Sequence, residues 1–152
     1  MQFLHDLAAN KIFLTAATAW LVAQILKTII HTCFTKEFDP ERLVGSGGMP
    51  SSHSSTVVAL AAAAYFEYGA SSFEFAISAI LAIVVMYDAR GVRRETGKQA
   101  ELLNDIIRIF EDMGRSEISA HDRLKELVGH TPLQVVIGAL LGFFIAVIMY
   151  SF

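Results

Sequence analysis

The run GSGGMPSSHSS, residues 45–55, stands at the centre of this 152-residue chain, between two strongly apolar segments. It is followed at once by TVVALAAAA, residues 56–64, in which alanine favours a helix. The glycines permit positive φ angles and let backbone N–H groups approach an anion. A loop of this kind at a helix start also places N–H groups and the positive end of the helix dipole beside His53. The run therefore predicts an anion site suited to phosphate.

The composition is typical of a membrane protein. Hydrophobic residues make up 54% of the chain and charged residues 18%, whereas about 25% charged residues is usual in a soluble domain. The net charge of −3 gives no indication of a nucleic-acid partner. Cys33 is the single cysteine, so no intramolecular disulfide can form. Met1 to Lys11 lacks the basic region of a cleavable signal peptide. The length predicts one membrane domain, residues 1–152.

Four apolar segments predict an all-α integral membrane bundle. The predicted transmembrane helices cover residues 12–34, 54–68, 73–87 and 133–152. The polar stretch 88–130 carries apolar residues at helical spacing, which predicts an amphipathic helix that lies on the membrane surface or caps the bundle.

Four crossings place the loops 35–55 and 88–130 on the same side of the membrane. His53, Asp88, His130 and the Lys27 end of the first helix then share one membrane face. This convergence of polar groups from distant parts of the chain predicts a functional site. Most of the Lys and Arg residues lie in 88–130, so the positive-inside rule predicts that this face is cytoplasmic.

The first predicted helix carries a polar stripe. Gln24, Lys27 and His31 recur at spacings of three and four and therefore share one face. Lys27 and His31 either extend along the lipid to the membrane interface or face a functional cavity.

Two histidines at helix starts, close to glycine, serine and arginine, suit phosphoryl transfer without a metal. One imidazole attacks phosphorus, and the other protonates the leaving oxygen. Arginine side chains and backbone N–H groups stabilise the charge on the phosphoryl oxygens. The sequence has one cysteine, no H-E-x-x-H motif and no carboxylate pair at ligand spacing, which predicts neither metal nor cofactor.

Three motifs carry a family resemblance. Pro50-Ser51-Ser52-His53 resembles the P-S-G-H motif of type 2 phosphatidic acid phosphatases, a superfamily shared with vanadium haloperoxidases. The segment GHTPLQVVIG, residues 129–138, is similar to the last motif of that superfamily. Together with YDARGVRR at 87–94, these motifs resemble a divergent branch of short bacterial and plastid membrane proteins. The resemblance covers residues 20–142 and implies a phosphatase acting on a lipid phosphate or pyrophosphate in the bilayer.

The resemblance also implies roles for individual residues. His130 matches the nucleophile that forms a phosphohistidine, and His53 matches the general acid. Arg42 best matches the arginine of the first motif. Lys36, one residue closer to Arg42 than the usual spacing, or alternatively Lys27, matches its lysine. Phosphate contacts are implied for Lys27, Arg42, Gly47, Gly48, Ser51, Ser52, Arg90, Arg93 and Arg94.

The chain departs from the family pattern at two functional positions. Ser52 replaces the glycine of P-S-G-H, and Gln134 replaces the aspartate that orients the nucleophilic histidine. A glutamine accepts a hydrogen bond from imidazole but does not stabilise imidazolium by charge. Asp88 and Glu126 are the candidate replacements for that carboxylate. These departures support a second interpretation, a non-catalytic member that binds anionic lipid or scaffolds membrane partners. A third, a small transporter subunit, requires a homo-oligomer.

Overall fold

The computed structural model describes residues 1–36, 48–112 and 131–152, with the backbone alone at residues 90, 92–98 and 110–112. These residues form six helices and no strand. The helices are α1 (Gln2–Ala9), α2 (Lys11–Thr35), α3 (Ser52–Tyr68), α4 (Phe73–Arg90), α5 (Val92–Asp112) and α6 (Pro132–Ser151).

Capping residues explain where the helices differ from the predicted ranges. Asn10 begins α2, because its side chain accepts a hydrogen bond from the Phe13 N–H at 2.9 Å. Ser51 caps α3, which therefore begins at Ser52 and includes His53 in its first turn. The fourth helix continues through Asp88 to Arg90 before Gly91, since the charged residues there are compatible with a helix. The short helix α1 was not predicted.

Helix α3 is the centre of the bundle and packs against α2, α4 and α6. Two contacts show that it runs parallel to α6. The Ser51 N–H donates to the Gln134 carbonyl at one end of the pair, and Phe66 contacts Tyr150 at the other. It runs antiparallel to α2, where the Ser55 hydroxyl donates to the Ala19 carbonyl at 3.2 Å.

Glycines allow α3 and α6 to pack very closely. A Cβ atom at Gly138 would overlap the carbonyl of Ser51, and one at Gly142 would overlap the carbonyl of Ser55. The glycines form a G-x-x-x-G pattern, and the serines opposite them have the same four-residue spacing. Small residues at such spacing are typical of helix contacts within membranes, where close backbone approach replaces the hydrophobic effect.

The distribution of apolar residues confirms the membrane bundle. The buried apolar residues are mostly alanines, such as Ala19, Ala59, Ala63 and Ala146, while large side chains such as Ile80 and Phe144 face outward. A soluble domain would expose no apolar surface of this extent. Helices α2 and α6 are long and apolar enough to cross a membrane, and only 22% of the most apolar part of α6 is buried within the protein. Helices α3 and α4 are shorter, and their full crossing stays a prediction.

Candidate functional site

Four helix ends meet at one end of the bundle. The parallel pair α3 and α6 both begin there, and the antiparallel helices α2 and α4 both end there. The α3–α4 pairing is fixed by a contact between Tyr65 and Phe75 near their hairpin and by packing of Val57 on Ala82 and Met86 nearer the other end. This end, called here the motif end, carries Lys27, Gly48, His53, Asp88 and Gln134. The sequence predicts Lys27, His53 and Asp88 on one face together with His130, which lies outside the described residues.

Lys27 is an inward-facing cation. Only 3% of its surface is exposed, so it does not extend along the lipid to the interface. Its methylene groups cross Gly48 so closely that a Cβ at Gly48 would lie 3.0 Å from Lys27 Cγ. A buried ammonium group is costly unless it has partners, and intramembrane cations generally mark functional sites. The structure thus brings the predicted lysine directly against the predicted glycine loop.

Gly48 adopts a conformation that other residues disfavour. Its φ angle is +82°, which lies in the left-handed region that glycine enters without a steric penalty. The absence of a side chain also leaves the space that the Lys27 methylenes occupy. Both requirements explain glycine at this position.

Ser51 joins the two helix starts. Its hydroxyl accepts a hydrogen bond from the Ser54 N–H at 3.4 Å and another from the Ser54 hydroxyl at 3.1 Å. Its own N–H donates to the Gln134 carbonyl at 3.1 Å. Ser51 is fully buried, so in this structure its hydroxyl caps α3. Its predicted contact with phosphate stays a prediction.

The first turn of α3 places N–H groups at the motif end. Ser52 is buried, and His53 is half-buried one residue further along the helix. The N–H groups of a first helical turn point back along the helix axis, and the Ser51 cap accepts the one from Ser54. Here that direction leads toward the segment Gly48 to Pro50. Anion binding at this helix start stays a prediction.

Gln134 has a structural role in the cap of α6. Its side-chain carbonyl accepts a hydrogen bond from the Thr131 N–H at 2.9 Å, and its own N–H donates to the Thr131 hydroxyl at 3.3 Å. This reciprocal pair is a capping box. The side-chain oxygen of Gln134, which the sequence suggests as an acceptor for imidazole, thus also serves the helix terminus.

Gln24 is a buried polar residue of the polar stripe on α2. The sequence places it on the same face as Lys27 but does not predict it as a site residue. Its exposed fraction is 4%, and its side-chain oxygen has no hydrogen-bond partner among the described residues. The spacing to Lys27 indicated that both share a face, but only packing reveals the unpaired acceptor. It lies one helical turn further into the bundle than Lys27.

The other predicted residues fall into two groups. Asp88 is half-buried near the end of α4. Arg90, Arg93 and Arg94 lie around the α4–α5 junction at the motif end, without described side chains. His130, Arg42, Gly47 and Glu126 lie outside the described residues. Within the described part of the chain, no group of three or more His, Cys, Asp or Glu residues is placed to hold a metal ion.

The membrane helices form a bundle that has a buried lysine, a glycine turn and two capped helix starts at one end. It belongs to the class of integral membrane proteins with a polar site at the membrane face. Within that class, a sequence model of the Divergent PAP2 family matches residues 8–145, and the chain belongs to this family. It is also similar to "Uncharacterized membrane protein YuiD" of Bacillus subtilis (strain 168), with 36% identity over 155 residues, 97% of this chain and 98% of that protein. No solved structure matches the chain. These findings confirm the family predicted from the motifs and the membrane association.

Proposed function

We propose that the protein is a membrane phosphatase that hydrolyses a lipid phosphate or pyrophosphate through a phosphohistidine. The hydrogen bond from the Ser51 N–H to the Gln134 carbonyl carries this proposal. This hydrogen bond joins the start of α3, which contains His53, to the start of α6, which follows His130 in the chain. Buried Lys27 against Gly48 supplies a cation at the same end. Family membership supports a phosphatase of this general kind.

The proposed reaction has two steps. An imidazole nitrogen of His130 attacks phosphorus, and the bond between phosphorus and the leaving oxygen breaks. Protonated His53 gives its proton to that oxygen, so a lipid alcohol leaves, or a lipid monophosphate when the substrate is a pyrophosphate. Water then attacks the phosphohistidine while neutral His53 accepts its proton, and inorganic phosphate is released. Lys27 and the first-turn N–H groups of α3 stabilise the phosphoryl oxygens.

Phosphate release from lipid phosphates by the purified protein tests this proposal. We expect release to continue with EDTA present, vanadate to inhibit it, and His53→Ala and His130→Ala each to abolish it. His5→Ala is the matched control, because His5 lies in exposed α1. A base-stable, acid-labile phosphoprotein should form in the wild type and be missing from His130→Ala. Full activity in both the His53 and the His130 variants contradicts the proposal.

One observation favours the second candidate, a non-catalytic protein that binds anionic lipid. Position 134 holds glutamine, whose side chain serves the α6 cap, and a glutamine supplies no carboxylate to orient His130. Gln134→Glu separates the candidates, since glutamate preserves a capping box and adds the missing charge. A phosphatase should retain or gain activity in this variant. A lipid-binding protein should bind anionic vesicles and release no phosphate in either form.

A further inference from the structure

A long cleft separates α2 from α4. Both helices pack on α3, but among the described residues they do not contact each other. The resulting cavity has a volume of about 770 Å³, within the range of ligand sites. Thr56 and Leu60 of α3 form part of its floor, Phe13 and Ala17 of α2 one wall, and Ile77 of α4 the other.

The cleft surface suits hydrocarbon. The hydroxyl groups of Thr56 and Ser78 are satisfied within their own helices: the Thr56 hydroxyl donates to the Ser52 carbonyl, and the Ser78 hydroxyl donates to the Glu74 carbonyl, both at 2.7 Å. Strongly polar residues, Asn10 and Glu74, occur at the end of the cleft far from His53. The rest of the lining is mainly aliphatic and aromatic, so a chain of methylene groups would bury apolar surface there.

The cleft leads away from the proposed phosphate site. Thr56 lies about one turn along α3 from His53, and the floor continues to Tyr68. At ~1.5 Å per residue, the distance along the helix from His53 to Tyr68 is ~22 Å. One leaflet of a ~30 Å hydrocarbon core is ~15 Å deep. A chain that fills the cleft from the motif end therefore passes the bilayer midplane.

We propose that this cleft binds the hydrocarbon tail of the substrate lipid, extended along α3 with its phosphate at the motif end. The phosphate end of this inference rests on the proposed function. Lys27 and the start of α3 hold the polar headgroup at one end, and the apolar cleft receives the tail at the other. The length of the cleft selects lipids whose chain is longer than one leaflet.

Two variants on α4 provide a matched test. Ile77 lines the cleft, whereas Ile80 does not, and their exposed fractions are similar, 57% and 61%. We expect Ile77→Trp to raise the KM for a long-chain lipid phosphate by about tenfold and to leave the KM for a short-chain phosphate unchanged. Ile80→Trp should change neither. An unchanged KM for the long-chain phosphate in Ile77→Trp, or an equal rise in KM for the long-chain and the short-chain phosphate, overturns the proposal.

A binding measurement separates this inference from catalysis. A lipid phosphate with a diazirine at the end of its chain is irradiated with the wild-type protein and with His53→Ala in vesicles of phosphatidylcholine. We expect label on cleft residues of α2 and α4 in both proteins, and loss of that label in Ile77→Trp. Cleft labelling of a wild-type protein that releases no phosphate upholds the tail site and removes the proposed function. Label spread evenly over the cleft and the outward face of α6, or unchanged in Ile77→Trp, means that the probe is distributed as bulk lipid and overturns the inference.

Discussion

Lys27 links the polar stripe of α2 to the glycine turn at the motif end. Its burial requires that its charge be compensated, and its methylenes occupy the space that Gly48 leaves. Sequence spacing identified the face on which Lys27 lies, because helical periodicity follows directly from residue numbers. Whether the Lys27 side chain extends along the lipid or faces inward depends on which helices pack against that face, and the sequence does not identify them.

Removing the charge of Lys27 should reduce catalysis more than stability. We expect Lys27→Met, which keeps the length of the side chain, to lower the rate of phosphate release by roughly 10²-fold, as for loss of one charge-stabilising donor. The matched control is Lys11→Met at the opposite end of α2, where Lys11 lies 4.4 Å from the Tyr150 ring. This control should retain activity. Phosphate release at the wild-type rate from Lys27→Met would exclude Lys27 from the site.

Gly48 and Gly69 allow backbone strain to be separated from steric contact. Both have positive φ, +82° and +81°, but a Cβ at Gly48 would meet Lys27 while one at Gly69 meets nothing within 4 Å. Alanine at either position should cost about 1–2 kcal/mol of stability because of the left-handed backbone. We expect Gly48→Ala also to lose phosphatase activity and Gly69→Ala to keep it, as measured by phosphate release beside thermal unfolding in detergent. Equal activity in the two variants contradicts a role for the Lys27–Gly48 contact.

The contact between α3 and α6 positions the site. The boundaries of both helices were largely predictable, because long apolar runs bounded by Pro, Ser and Gly leave few alternatives. Their pairing was not, since a G-x-x-x-G pattern indicates a close contact without naming the partner. The capping role of Gln134 was also not predicted, because the family resemblance assigns position 134 to an aspartate that orients the nucleophilic histidine. The T-x-x-Q pattern from Thr131 to Gln134 was the available signal.

Filling the space at the α6 glycines should separate these helices. Gly142→Ala and Gly138→Ala should each destabilise the protein by about 1–3 kcal/mol, the usual cost of overpacking. Gly138 contacts Ser51, whose N–H bonds Gln134, so its variant should also lose activity beyond the stability effect. Leu140→Ala is the control, because Leu140 is exposed on the same helix. Thermal unfolding and phosphate release measure both effects. Unchanged stability in both glycine variants would contradict the close packing.

The bundle as a whole has its small residues inside and its large apolar residues outside. Composition predicted the membrane class, and apolar run lengths predicted four of the six helices. The helix α1 was missed because it is short and its apolar residues do not stand out from their polar neighbours. The cleft between α2 and α4 was not predictable, because it arises from two helices that share α3 without touching each other.

The direction in which the motif end faces is predicted from the charge asymmetry of the chain. If the positive-inside rule holds for the Lys- and Arg-rich stretch 88–130, the motif end is cytoplasmic. The single cysteine makes this testable: in a Cys33→Ser background, Lys36→Cys marks the motif end of α2 and Ser71→Cys marks the opposite α3–α4 turn. Lys36 and Ser71 are both exposed. We expect a membrane-impermeant thiol reagent to label Ser71→Cys in intact cells and Lys36→Cys only in inverted vesicles. The reverse pattern would place the motif end outside the cell, and a lipid phosphate in the outer leaflet would then be the accessible substrate.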